Sequence, residues 1–194
     1  PSPTNMADML EDMDGKIDGI VDGGPCAVGV ESTIVDLTET PPRLLRPGGI
    51  TLEQLESVLG RVEVDQAVTR LMSAGEKPRA PGMKYRHYAP KAPVTVVAGP
   101  PERTAEHIAR SLTPGDGVIC FDEFAGEFPG CQIQRMGPAG DKSAQARHIF
   151  DALRAFDHTE VPRIWAQCPD PSGLGLAINN RLNKAAGFHI VEVK

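Results

Sequence analysis

The 194-residue sequence has few aromatic side chains, few cysteines and no long apolar segment. Phe, Trp and Tyr together make up only 5% of the residues, so the hydrophobic core must be mainly aliphatic. The longest apolar runs, such as residues 118–121, have four or five residues, whereas a membrane-spanning helix needs roughly 20. We therefore expect no membrane association.

The four cysteines are widely spaced, and no two of them form a Cys-x-x-Cys pair. This spacing excludes a paired-cysteine zinc site and a disulfide scaffold, and it favours a reducing, cytoplasmic compartment. His107 and His148 lie in predicted helices without a second ligand four residues further on, so we interpret them as ordinary histidines. We predict no bound metal.

Basic residues are also fewer than acidic ones. The chain has 20 Lys and Arg against 26 Asp and Glu, and its isoelectric point is about 5.4. A protein that follows a phosphate backbone needs a basic face, so direct nucleic-acid binding is not expected. Residues 1–60 carry 3 basic and 11 acidic groups, residues 61–90 carry 6 and 3, and residues 91–194 carry 11 and 12. This uneven distribution indicates three segments with different roles.

The third segment, residues 91–194, alternates between β-type runs and helical stretches. The predicted strands are 94–98, 117–121, 132–136, 163–167 and 189–193, and the predicted helices are 102–112, 143–156 and 174–186. Such alternation is typical of β-α-β crossovers and a mostly parallel sheet. We expect this segment to be a self-sufficient domain.

The first segment is predicted to contain two helices and three short strands. Thr4 is the expected N-cap of the first helix, which ends at Gly15. Thr51 and Gln54 form a capping box for the second helix, and Gly60 ends it. The strands are expected at 17–21, 32–37 and 43–45. About sixty residues with open sheet edges bury little surface, so this segment is interpreted as the end of a larger domain.

Between these segments, residues 75–92 are rich in Pro and Gly and lack apolar periodicity, which indicates a linker. The predicted boundaries are accordingly 1–62, 63–92 and 93–194. Residues 81–90, here called the strap, hold both tyrosines of the chain beside Lys, Arg and His. Such a strap can reach a polyphosphate and close over a site. The alternative is a linker that two aromatic anchors hold against one domain.

Two polar residues at predicted strand ends are candidates for ligand contact. Ser32 stands at the entrance of one strand and Arg46 at the end of the next. A hydroxyl can hold a small carboxylate, and an arginine fork can hold phosphate oxygens. The alternatives are a serine bonded to a turn carbonyl and an arginine on a solvated edge. Gly173 and Gly175 fall short of a dinucleotide fingerprint because Ile178 takes the third glycine position, so close helix packing is favoured.

Several motifs together resemble the YrdC-like family of threonylcarbamoyl-AMP synthases, in its long form. They are residues 2–4 (SPT), 22–24 (DGG), 29–36 (GVESTIVD), 45–48 (LRPG), the strap, and 173–182 (GLGLAINNRL). The resemblance covers the chain from end to end. It implies an α/β fold made of the C-terminal part of a YrdC-like twisted α/β catalytic domain, a linker and a Rossmann-like, mostly parallel α/β domain.

The resemblance also implies a nucleotidyltransferase that joins L-threonine, bicarbonate or CO2, and ATP into threonylcarbamoyl-AMP and releases pyrophosphate. ATP is then a substrate accompanied by Mg²⁺. The product serves N6-threonylcarbamoylation of a tRNA adenosine by the downstream tRNA threonylcarbamoyl transferase machinery. The implied site has Ser32 on threonine, a group on ATP, and a lid made of strap residues. The ATP group is Ser2, Arg46 and Tyr85, and the lid is Lys84, His87 and Tyr88.

In one respect the chain departs from the family. Members carry a Lys-x-Arg and a Ser-x-Asn motif in the N-terminal portion of the catalytic domain, and neither occurs ahead of Ser2. With Pro1 in first place, we expect a fragment of a longer gene product or a truncated relative, inactive alone. The competing hypotheses are a non-catalytic binding or regulatory α/β module and, from fold analogy only, an NAD-dependent enzyme.

Overall fold

The structure is a computed structural model that describes residues 1–73, 75–81, 83 and 87–194. Its helices are α1 (Met6–Met13), α2 (Leu52–Leu59), α3 (Gln66–Thr69), α4 (Pro101–Ser111), α5 (Lys142–Ala155) and α6 (Gly175–Ala185). Its strands are β1 (Ile34–Asp36), β2 (Arg43–Arg46), β3 (Glu63–Val64), β4 (Val94–Ala98), β5 (Gly117–Cys120), β6 (Gln132–Arg135), β7 (Ile164–Cys168) and β8 (Ile190–Glu192). Short 3-10 helices span Asp122–Glu127 and Phe156–His158.

Five parallel strands form the larger sheet, in the order β6-β5-β7-β4-β8. Both β5 and β7 are buried along their whole length, as expected for strands that helices cover on both faces. Helices α4, α5 and α6 provide crossovers between strands. The predicted mixed α/β fold with a parallel sheet is therefore confirmed, and β4 has the predicted bounds.

Alternate side chains of the larger sheet face two apolar layers. On one face Ala166 belongs to a core that includes Phe150 of α5 and Leu182 of α6. On the other face Trp165 packs with Ile108 of α4. Because its apolar side is buried against the sheet, α6 is fixed in place and can direct its polar side chains toward the first segment.

The smaller sheet has the order β1-β2-β3, with β1 antiparallel and β3 parallel to β2. The predicted capping box at the start of α2 is confirmed. Thr51 Oγ1 accepts from the Gln54 amide at 3.3 Å, and Gln54 Oε1 accepts from the Thr51 amide at 2.9 Å. Gly60 caps the other end of α2, as predicted.

The first half of the predicted linker packs against the smaller sheet. Strand β3 pairs with β2, and α3 follows directly. Further along, the Arg79 guanidinium bonds to Asp36 and Glu39 beside the smaller sheet.

Two predictions for the first segment are wrong. Residues 17–21 form no strand: Val21 is 98% exposed, and an isolated extended run gains nothing from burial. The N-cap of α1 is Asn5, whose Oδ1 accepts from the Asp8 amide at 3.0 Å. Thr4 cannot cap the helix because its hydroxyl is engaged with Asp151 of α5.

The longest helix in the described part of the chain is α5, with 14 residues. No helix there combines the length and the apolar character that crossing a membrane requires.

Candidate functional site

The site is formed by two loops at one end of the smaller sheet. Because β1 and β2 are antiparallel and Ile34 pairs with Arg46, the residues before β1 lie beside those after β2. Arg46 donates from Nε to the Ser32 carbonyl oxygen and from Nη2 to Ser32 Oγ, both at 2.9 Å. The structure thus brings together the serine and the arginine singled out in the sequence.

A glycine allows the two loops to approach. A Cβ atom at Gly48 would lie 2.6 Å from the backbone nitrogen of Thr33 and would overlap the Glu31 carbonyl oxygen. Backbone atoms cannot move aside as a flexible side chain can, so this contact requires glycine. The Pro-Gly pair after Arg46 therefore has a structural reason.

Glu31 connects the predicted ATP residue Ser2 to the site. The Ser2 hydroxyl donates to Glu31 Oε1 at 2.9 Å, and Arg181 Nε donates to Glu31 Oε2 at 2.8 Å. Partial burial raises the pKa of the Glu31 carboxyl, but the Arg181 charge and these hydrogen bonds outweigh burial, so the pKa is lowered. Glu31 is therefore ionised near neutral pH.

Helix α6 contributes Arg181, which is 0% exposed. Its Nη1 donates to the Pro47 carbonyl oxygen at 2.9 Å and to Asn180 Oδ1 at 3.0 Å. Its guanidinium carbon lies 5.8 Å from the centre of the Tyr88 ring. One side chain of the larger sheet's last helix therefore contacts both loops of the site.

A second cation on α6, Lys184, is also buried. Burial is the main reason that its pKa falls to about 8, and the positive charges of Arg181 and Arg46 lower it further, while Glu31 opposes them. Sequence reasoning missed both α6 cations. The signal was present, since positions 181 and 184 are charged in a helix whose neighbouring residues Ile178, Leu182 and Ala185 are apolar.

Two of the predicted strap residues can be placed, and two cannot. Tyr88 is buried and stacks on Phe150 with ring centres 5.1 Å apart. Burial is the main reason that the pKa of Tyr88 rises to about 12. His87 meets the Tyr88 ring edge-on, with ring centres 4.3 Å apart. The loss of water from one side of its ring is the main reason that the pKa of His87 is lowered. Lys84 and Tyr85 lie outside the described residues.

The polar and charged side chains of the site suit an anionic or zwitterionic ligand. It combines hydroxyl groups and several cations around one ionised carboxylate. The described residues include no group of three or more His, Cys, Asp or Glu side chains that could hold a metal ion.

The carboxyl ends of β4 and β7 border a cavity of about 230 Å³, whose lining includes Ala98, Cys168 and Asn179. Nearby, buried Gln167 of β7 accepts from the Phe121 amide at 2.9 Å and donates to Thr104 Oγ1 at 2.8 Å. The residue that counts against an NAD-dependent enzyme is Ile178, which takes the third glycine position of the dinucleotide fingerprint.

Two family models match the chain. The model described as "Threonylcarbamoyl-AMP synthase, C-terminal domain" matches residues 50–187, and the one described as "Telomere recombination" matches residues 1–48. The threonylcarbamoyl-AMP synthase of Bacillus subtilis is 44% identical over 98% of this chain and 55% of its own length. The chain thus spans about half the length of this curated relative.

Two solved structures of Pyrococcus abyssi Sua5 are similar along the whole chain. A double-alanine variant is 40% identical, with a TM-score of 0.88 over 55% of that protein. The complex with L-threonine is 39% identical, with a TM-score of 0.79 over 56% of that protein. Since the first family model alone covers more than half of the residues, the chain belongs to the threonylcarbamoyl-AMP synthase family, through the part described as its C-terminal domain.

Proposed function

We propose that this chain serves the synthesis of threonylcarbamoyl-AMP from L-threonine, bicarbonate or CO2, and ATP, with release of pyrophosphate. The observation that carries the proposal is the pairing of Ser32 with Arg46 at the meeting of two loops. The names of the relatives and the threonine complex of the P. abyssi protein point to the same reaction.

Residue roles follow from the family resemblance and from the contacts. Ser32 binds the threonine substrate, while Ser2 and Arg46 contact ATP. Arg46 already bonds to the Ser32 hydroxyl, so threonine and the nucleotide must share this pair of side chains. The remaining roles belong to the strap: Tyr85 on ATP, with Lys84, His87 and Tyr88 in a lid.

In the reaction, a carbamate oxygen of the threonine adduct attacks the α-phosphorus of ATP, and the bond from that phosphorus to the bridging oxygen of pyrophosphate breaks. The protein contributes position and charge. Holding the carbamate and the phosphate in line lowers the entropic part of the activation free energy. Fixed cations offset the negative charge that spreads over the phosphate oxygens in the transition state. Arg46 is suited to that task because its fork can grip two oxygens. Mg²⁺ accompanies the ATP phosphates.

The chain is divided in this proposal into a YrdC-like catalytic part (1–62), a linker (63–92) and a Rossmann-like domain (93–194). The five-stranded sheet with its own apolar layers supports the last of these. The product passes to the tRNA threonylcarbamoyl transferase machinery, and the low isoelectric point of the chain does not favour direct tRNA binding. A cytoplasmic location stays a prediction.

The test measures pyrophosphate release that depends on both threonine and bicarbonate. The 194-residue chain is assayed alone and joined to the part of the B. subtilis relative that it does not match. We expect turnover in the joined protein and none in the chain alone. A joined protein that folds and binds neither substrate would contradict the proposal and favour the binding-module hypothesis.

Two variants of the joined protein test the site. Ser32→Ala should raise the KM for threonine, and Arg46→Ala should lower kcat and weaken ATP binding, each by about 10- to 100-fold. The matched controls are Ser57→Ala on α2 and Arg61→Ala, both on exposed side chains away from the two loops. Equal losses in the controls and the site variants would remove Ser32 and Arg46 from the site.

A further inference from the structure

Arg181 joins two loops that are distant from it in sequence. Its Nε bonds to Glu31, which precedes Ser32, and its Nη1 bonds to the carbonyl oxygen of Pro47, which follows Arg46. Ser32 and Arg46 are therefore each adjacent in sequence to a residue that bonds to Arg181. Arg181 itself is fully buried and does not face the solvent-open side of the loops.

The position of this guanidinium is determined by the larger sheet. Asn180, also on α6, accepts from Nη1 at 3.0 Å, and its own amide donates to the Val68 carbonyl oxygen at 2.8 Å. The Tyr88 ring lies on one side of the guanidinium and is itself stacked on Phe150 of α5. Helix α6 is packed into the sheet core, and Val30, next to Glu31, packs against the same core. Arg181 adds to this apolar contact the polar contacts that relate the Glu31 side to the Pro47 side.

Burying the Arg181 charge costs desolvation free energy, so its presence calls for an explanation other than stability. Desolvating an arginine and a carboxylate offsets most of the attraction between them, and an apolar pair of similar size is often as stable. A planar fork, in contrast, fixes the distance and angle between the two groups that it binds. The pair is therefore better explained by loop geometry than by stability.

We propose that Arg181 is a positioning residue for the substrate site: it sets the relative placement of the Ser32 loop and the Arg46 loop, and through Glu31 that of Ser2. The inference rests on the proposed function of these loops. It gives the C-terminal domain a direct part in the reaction, since the last helix of that domain holds the substrate loops in register.

Arg181→Lys in the joined, active protein separates positioning from charge. Lysine keeps the positive charge beside Glu31 but lacks the rigid planar fork that fixes the angle between Glu31 and the Pro47 carbonyl. We expect kcat/KM for threonine to fall about 10- to 100-fold, since small misplacements of reacting groups cost this much, while the unfolding temperature stays close to that of the parent. If Lys restores full activity, Arg181 only neutralises Glu31 and the inference is wrong.

A matched control is available in Arg163. Its Nε bonds to the buried carboxylate of Asp116 at 2.9 Å, and its guanidinium lies 5.3 Å from the Trp165 ring centre. It thus has the same kinds of partner as Arg181, on a side chain that is 39% exposed. Its hydrogen bonds run to Asp116, Ser111 and Thr113, which lie outside the two loops. Arg163→Lys should leave kcat/KM unchanged.

Amide hydrogen exchange tests the positioning without any assay of turnover. In the 194-residue chain, Arg181→Lys should accelerate exchange in residues 31–33 and 46–50, and Arg163→Lys should not. Unchanged exchange in these loops would overturn the inference even if the protein is active. Absence of turnover in the unsubstituted joined protein, with faster loop exchange in Arg181→Lys, would instead count against the proposed function alone.

Discussion

Gly48 lies where the two loops of the site meet, and no other residue fits there without moving backbone. Gly48→Ala would place a Cβ atom 2.6 Å from the Thr33 nitrogen. We expect the free energy of unfolding to fall by about 1–3 kcal/mol, the usual cost of overpacking. Urea unfolding measures this change. Gly19→Ala is the control, because a Cβ there meets nothing within 4 Å, and an equal loss in both variants would contradict the explanation.

Lys184 predicts a pH dependence with a definite sign. Its pKa is about 8 in the folded protein against 10.5 ordinarily, so the unfolded chain binds more protons between these values. Stability from this group therefore rises as the pH increases from about 8 to 10.5. Thermal unfolding of Lys184→Met across this range should lack that rise, whereas the exposed Lys16→Met should keep it. A parallel pH profile for parent and Lys184→Met would show the pKa to be ordinary.

At the residue scale, sequence reasoning found the loop residues and missed their support. Ser32 and Arg46 were singled out by their places at strand ends, and they meet because two neighbouring strands are antiparallel. Arg181 could not be paired with Glu31 because 150 positions separate them along the chain. Only the packing of α6 against the larger sheet decides that contact.

In helix α1, too, local sequence predicts the helix and tertiary contacts decide how it is attached. Its N-cap is Asn5 rather than the predicted Thr4, and none of its residues is buried. Polar contacts with α5 hold it: Arg154 bonds to Asp12 and to the Pro1 carbonyl oxygen, and Asn5 reaches Asp151. An element attached through charge and hydrogen bonds opens more readily than one attached through apolar burial.

Removing the main anchor should therefore release α1 while leaving the sheet intact. In Arg154→Gln we expect faster amide exchange in residues 6–13 and unchanged exchange in β5 and β7, because those strands lie in the core. Arg110→Gln is the control, since its partner Glu106 lies on the same exposed helix surface. Exchange that accelerates equally everywhere would mean that Arg154 supports the whole fold.

The glycine-rich start of α6 has a packing role rather than a phosphate-binding one. A Cβ at Gly175 would overlap the Asp170 carbonyl oxygen, so the residue permits a tight turn between β7 and α6. This agrees with the interpretation from sequence, where the third glycine of a dinucleotide fingerprint was missing.

For the whole molecule, exposure of large apolar side chains is concentrated in the first segment. Within 87–194, all of which the structure describes, none is exposed; the exposed ones are Leu10, Ile17, Val21, Val28, Leu37, Ile50, Val58, Leu59 and Leu71. Helix α2 is an example, because it is well capped and amphipathic and yet leaves Val58 82% exposed. Burial is what stabilises a domain of this size.

We therefore expect residues 93–194 to fold without the rest. Expressed alone, they should unfold in one cooperative transition, because their sheet carries an apolar layer on each face. Residues 1–62 alone should show no such transition. Circular dichroism with thermal melting checks both, and a C-terminal part without a cooperative transition would contradict the proposed division at residue 93.

The sequence by itself determined what depends on neighbours along the chain: the capping box of α2, the bounds of β4, the β-α-β alternation and the family resemblance. It failed where distant residues compete for the same groups. Thr4 was lost as a helix cap to Asp151, and the extended run at 17–21 found no strand to pair with. Tertiary structure alone decided that α6 contacts the Ser32 and Arg46 loops, because Arg181 and Glu31, 150 positions apart, meet only when α6 packs against the larger sheet.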